Sequence, residues 1–310
     1  MTTESSNEAL LSRMSRTTEE MVELIRRQNS IIEAQSRTLS ALQAQAGEHR
    51  GMLEVLGRIG LRDTLADART VIQSRQLSMM ETVKQVAEGK SVARWGDGEI
   101  KLMLQPEFDL MYQKALPALA AELEAMLTSY DENSSKIILA MPTFFSSRLW
   151  MGIFAENWHL LKPILEESQS KWGNTHVSRP LFFQRHGHEA VGAWRSVWSN
   201  KRVCVIAGRG SKFELLPELF DNVADVRRID SEPADAYATL PELKQKLRAI
   251  DDVDLFLIAL GPSGTVLAGH LSSEAGGAHH AVDIGHLASS YLNVFKGGKT
   301  PEHLPTRAVP

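Results

Sequence analysis

Along the first sixty residues apolar side chains recur at alternating spacings of three and four. Counting in sevens from Leu11, one column reads Leu11, Thr18, Ile25, Ile32, Leu39, Ala46 and Leu53. Its partner column reads Met14, Met21, Gln28, Gln35, Leu42, His49 and Leu56. The stretch contains no proline, and its first glycine is Gly47, so nothing interrupts a helix before that point. A narrow seam repeating every 3.5 residues drives helices to supercoil, whereas an amphipathic helix lying on its own domain needs a wider stripe. The pattern therefore predicts a coiled-coil oligomerisation helix over 1–60, loosened toward its end by Gly47, Gly51, Gly57 and Gly60. β-Branched Ile25 and Ile32 favour a parallel dimer, while Gln28 and Gln35 weaken the seam and can fix its register, with higher oligomers left open.

A second helical pattern from about Asp63 to Glu88, stopped by Gly89, predicts a helical connector over 61–89. From there the periodicity changes. Ser91 to Arg94, Lys136 to Ala140, Arg202 to Ala207, Asp225 to Asp230 and Leu255 to Leu260 are short apolar runs, each followed by a turn signal and a helix-like stretch. Such alternation implies an α/β domain over 90–296, with a mostly parallel sheet flanked by helices. The tail, 297–310, is rich in Pro, Lys and Gly and is expected to be flexible.

Composition narrows the function. The chain is 43% hydrophobic and 23% charged, close to the average for soluble domains. Its net charge is −4, and no run of Lys and Arg interleaved with aromatics tracks a phosphate backbone, which argues against nucleic acid. Cys204 is the single cysteine and lies in an apolar run, so an internal disulfide is excluded. With no apolar stretch of spanning length and no leader-like start, a cytoplasmic protein is expected.

In parallel α/β folds ligands bind beyond the carboxyl ends of the strands, so the residues after each run carry the chemistry. Val92 to Arg94 leads into Trp95, Gly96, Asp97, Gly98 and Glu99. Asp97 and Glu99, one glycine apart on a turn, are hard oxygen ligands for one Mg²⁺ or Mn²⁺ that keeps sites for diphosphate oxygens. Arg94 would add a phosphate contact. Equally, Asp97 and Glu99 suit the first turn of a helix as capping acids. After Val203 to Ala207 come Gly208, Arg209, Gly210, Ser211 and Lys212, a glycine turn that either opens a helix capped by Ser211 and cradles a phosphate or simply joins strand to helix. Gly261, Pro262, Ser263 and Thr265 follow the most apolar run and offer a second helix start for ribose or phosphate. Asp283, Gly285 and His286 form a fourth cluster, in which Asp283 would orient His286 or either would take a proton from an acceptor hydroxyl. These turns also fit a methyltransferase using S-adenosylmethionine, with Asp230 as the acid at the next strand end, although that reading leaves Asp97 and Glu99 idle.

Several ordered blocks resemble one family, the GT-D glycosyltransferases, first catalogued as a domain of unknown function. They begin with Arg94-Trp95-Gly96-Asp97-Gly98-Glu99 and continue through Arg179-Pro180, Trp198 to Lys201, Gly208 with Ser211-Lys212 and Leu219 to Asn222. Ala259 to Ala268 and Ala281 to His286 complete the set, and the resemblance covers about Val86 to Phe295. It implies a Rossmann-like GT-D domain in which Asp-x-Glu is the metal and diphosphate motif. It further implies transfer of a hexose from a nucleotide diphosphate sugar, typically UDP-linked, to a glycan or glycoprotein acceptor. Two departures bear on donor and acceptor choice. Glu214 to Pro217 stand where the family tends to a Gly-Val-Gly-Asn segment, and Ala288 to Tyr291 stand where it often carries acidic and aromatic residues. A different class of reading is a coiled-coil scaffold with a non-catalytic nucleotide-binding domain; the retained Asp97 and Glu99 count against it.

Overall fold

The structure is a computed structural model and describes residues 3–144, 148–168, 170–211 and 213–297. The chain divides into two compact units, Met1–Arg62 and Asp63–Pro310. The first is a single helix, α1 (Thr3–Gly60). It runs unbroken through Gly47, Gly51 and Gly57, where loosening was expected, although each interior glycine costs a helix about 1 kcal/mol relative to alanine.

The second unit opens with α2 (Arg62–Arg75) and α3 (Met79–Ala87) rather than one continuous helix. The break has a local cause. Gln76 pairs with Trp172 as an isolated parallel bridge, the Leu77 N–H donates to the Trp172 carbonyl, and Ser78 then caps α3 by accepting from the Glu81 N–H. Residues in the span read as a connector pack into the core, among them Ala68, Ile72, Val83 and Val86.

The strands are β1 (Ser91–Arg94), β2 (Ile137–Met141), β3 (Gly173–Asn174), β4 (Arg202–Gly208), β5 (Asp225–Ser231), β6 (Leu255–Ala259) and β7 (Ala281–Asp283). They form one sheet in the order β3-β2-β1-β7-β6-β4-β5, and every pairing is parallel. Helices α4 (Asp97–Leu104), α5 (Pro117–Thr128), α6 (Arg148–Glu167), α7 (Pro180–Trp198), α8 (Pro217–Phe220), α9 (Leu240–Arg248), α10 (Pro262–Ser272) and α11 (Leu287–Lys296) connect and flank them. Because helices cover both faces, β1, β4 and β6 are buried almost throughout, which is why they read as continuous apolar runs. Edge strand β5 is instead exposed along Asp225 to Arg228, and its charges discourage pairing with another chain.

Winding proceeds outward through β1, β2 and β3, then restarts at β4 and returns to the centre through β6 and β7. The reversal between β1 and β7 leaves a crevice at their carboxyl ends, the place where open parallel sheets bind ligands. The expected tail lies, from 298 on, outside the described residues.

Candidate active site

Strand β1 ends in Arg94, whose buried guanidinium spans the β1/β7 crevice. Its Nε donates to the Asp283 carbonyl at 2.8 Å, Nη2 to Asp283 Oδ1 at 2.8 Å and Nη1 to Ser178 Oγ at 2.6 Å. Asp283 Oδ1 also accepts from the Gly285 N–H at 3.1 Å. Burial pushes the Asp283 carboxyl upward while the Arg94 guanidinium pulls it down. Gly285 is required here: its φ is +44°, and a Cβ would lie 2.0 Å from Arg94 Nη2. The arginine expected to contact phosphate is thus committed to holding the crevice together.

Directly after β1, Gly96 caps α4, and Glu99 in its first turn reaches back so that Oε2 accepts the Gly96 N–H at 2.7 Å. Glycine has no side chain to return the favour, so half of a capping box is present. Burial first, and then repulsion from Asp283, push Glu99 up to about 7. Asp97 stands beside it, half-buried in the same first turn.

Across the crevice, His286 precedes α11, and its Nδ1 lies 2.8 Å from Arg179 Nη1. A guanidinium only donates, so Nδ1 is the acceptor, and a neutral imidazole then carries its proton on Nε2. His286 is exposed as a residue, yet desolvation of its ring, then the charges of Arg179 and Arg94, push the imidazole pKa down, in keeping with a neutral ring. Asp283 therefore does not orient His286, contrary to expectation, because Arg94 and Arg179 separately occupy the two. His176, just after β3, is buried; burial and then Arg179, Arg94 and Arg185 lower its pKa, and its Nδ1 accepts the Thr143 N–H at 3.2 Å.

The two glycine turns behave differently from their sequence signals. Beyond β4 no helix opens at Ser211: the Ser211 N–H donates to the Gly208 carbonyl, Gly210 takes φ +71°, and the four-residue α8 starts only at Pro217. Ser211 is therefore not a helix cap, and the argument for a helix-borne phosphate cradle over Gly208 to Lys212 loses its basis; Lys212 lies outside the described residues. Arg209 pairs with Glu232 at 3.2 Å. At the end of β6, α10 does begin at Pro262, but its hydroxyls are spent internally. Buried Ser263 donates to Gln113 Oε1 at 2.9 Å, and buried Thr265 donates to the Arg94 carbonyl at 3.0 Å.

Tyr112 is the site residue that sequence reasoning missed. It stands in the segment between α4 and α5, and a Cβ on Gly261, whose φ is +54°, would meet the Tyr112 ring at 2.8 Å. Tyr112 stays 45% exposed; desolvation of its phenol, then the charges of Glu99, Asp97 and Asp283 against that of Arg179, push it up to about 12, so the hydroxyl stays protonated. Among the described residues no group of three His, Cys, Asp or Glu side chains gathers to hold a metal by protein ligands alone. Two carboxylates suit a hard divalent cation that keeps water and substrate oxygens, and burial, then repulsion from Asp283, leave Glu99 a carboxyl whose charged form a cation would favour.

A parallel α/β domain with acids and arginines at its topological switch point defines a Rossmann-like fold, and open parallel sheets bind ligands at that point. Comparison then supplies the family. The chain belongs to the glycosyltransferases of the GT-D fold, whose family model matches residues 92–309. It is 28% identical over 254 residues to a probable glycosyl transferase Gly of Streptococcus gordonii, covering 77% of this chain and 35% of that protein. It is 25% identical over 260 residues to the glycosyltransferase GlyD of Streptococcus pneumoniae serotype 4, covering 80% and 31%. The chain thus spans about a third of the length of these curated relatives. A solved domain of unknown function 1792, described as having a distinct glycosyltransferase fold, superposes with TM-score 0.66 at 21% identity over 76% of this chain and 86% of that one. A glycosyltransferase of the same domain type from Streptococcus sanguinis gives TM-score 0.62 at 26% identity over 72% and 85%.

Proposed function

We propose that the β1/β7 crevice binds a nucleotide diphosphate sugar, UDP-linked, and transfers its hexose to a hydroxyl of a glycan or glycoprotein acceptor, with Mn²⁺ or Mg²⁺ held by Asp97 and Glu99. The observation that carries this reading is that the carboxyl ends of β1 and β7 bring together the Arg94–Asp283 bridge, the Arg179–His286 pair and the first turn of α4 with Asp97 and Glu99. When bound, the cation would supply neutralisation of the charge that builds on the departing diphosphate. Arg179 and the Nε2–H of His286 supply donors toward the same anion, acting where charge develops. Arg94 works one step back by fixing Asp283 and Ser178, so the crevice keeps its shape without reorganising. His286, protonated on Nε2 and accepting on Nδ1, is in this geometry a hydrogen-bond donor rather than a proton acceptor. Helix α1 joins copies of the chain, so that several sites meet one multi-site acceptor.

The test is calorimetric titration of UDP with Mn²⁺, with Mg²⁺ and with chelator, on the wild type and on Asp97→Ala with Glu99→Ala. Metal-dependent binding that disappears in the variant is expected. Intact protein that binds no nucleotide diphosphate under any metal condition would sink the proposal.

A further inference from the structure

The distribution of charge around α1 carries a conclusion beyond self-association. Of the thirteen charged residues between Leu11 and Gly60, all but Arg50 fall in the three columns that point away from the seam. The two columns flanking the seam are otherwise uncharged, and one of them holds Leu24, Ile31, Met52 and Ile59, exposed by 56%, 57%, 65% and 56%. The seam residues Ile25 and Ile32 are exposed by 52% and 59%. Four columns in seven therefore carry one charge between them, that of Arg50, a face wider than two helices cover. In a two-stranded coil the flanking columns sit at a wet rim and are typically Glu and Lys, whose pairing sets partner choice. A bundle of more helices turns those columns inward, where apolar side chains are needed and charges are excluded.

The same face identifies its occupant as further copies of this chain. No like charges oppose self-pairing, and the outward charges are mixed in sign, so nothing in α1 selects an oppositely charged partner. Gln28 and Gln35 lie on the seam, and an amide both donates and accepts, so equivalent glutamines of identical helices satisfy one another around a common axis. We infer that α1 assembles the chain into a homo-oligomeric bundle of three or more helices rather than a dimer. This rests on the reading of α1 as a self-associating helix.

Sedimentation equilibrium of the full chain over a range of concentrations tests it. The expected mass is at least three times that of one chain, falling to two chains or one in Leu24→Glu with Ile31→Glu. The outward-column control Glu19→Gln with Arg26→Gln is expected to keep the wild-type mass. A wild-type mass of two chains overturns the bundle and leaves self-association standing. A mass of one chain overturns both, leaving the face to another protein, and a charged variant that keeps three or more chains overturns the role of the flanking column. UDP binding by the same samples reports separately on the crevice.

Discussion

Gly285 and Arg94 occupy space that only one of them can fill with a side chain. The Gly285→Ala change adds a Cβ where Arg94 Nη2 lies, at a φ of +44°, and is expected to cost about 2 kcal/mol or more, read from chemical denaturation. Arg94→Met leaves Asp283 buried without its partner and is expected to cost about 3 to 5 kcal/mol by the same measurement. Glu99 makes a prediction of opposite character. Its carboxyl titrates at about 7 in the folded chain against a reference of 4.5, so the folded state holds the extra proton between those values. The resulting stabilisation is complete below the reference value and is lost as pH rises through about 7. Glu99→Gln should flatten that dependence, seen as a smaller difference in denaturation midpoint between about pH 5 and about pH 8. Mn²⁺ should stabilise the wild type more at the higher pH, since proton and cation compete for one carboxylate; equal stabilisation at both would argue against Glu99 as a ligand.

Among the elements, the strands of four residues or more were the most legible. β1 matches its expected run in full, β4, β5 and β6 differ from theirs by a residue at one end, and β2 by a residue at each end. β3 and β7 escaped because two and three residues cannot display a period, and their strand character comes from neighbours in the sheet. The split between α2 and α3 was hidden for a similar reason, since Gln76 leaves the helix to meet Trp172 far along the chain. Ser78→Ala should destabilise by about 1 kcal/mol through loss of the α3 cap, measured by denaturation. Near β1, the place of Asp97 and Glu99 in the turn that opens α4 was legible because a Gly-Asp-Gly sequence marks it locally. Tyr112 was not, because its place over Gly261 depends on the segment between α4 and α5 docking on α10 through Gln113 and Ser263. Ser263→Ala should loosen that docking and weaken UDP binding severalfold while leaving the denaturation midpoint within about 1 kcal/mol of wild type. Unchanged binding would show that Tyr112 holds its position without Gln113.

For the whole molecule, the position of β7 in the sheet sets the order of events in the cell. β7 is the one strand that joins β1 to β6, pairing Val92 with Val282 on one side and Phe256, Leu257 and Ile258 with Ala281, Val282 and Asp283 on the other. Among the described residues it is also the last strand in chain order. A nascent chain can assemble β1 with β2 and β4 with β5 and β6, but each half presents an open, apolar edge until residue 283 has emerged. A chain cut after His280 should therefore show no cooperative thermal transition and should be digested rapidly by protease. The same pairing makes synthesis of the stretch between β6 and β7 the hazardous interval, in which a stalled ribosome leaves two half-sheets exposed to chaperones and to each other.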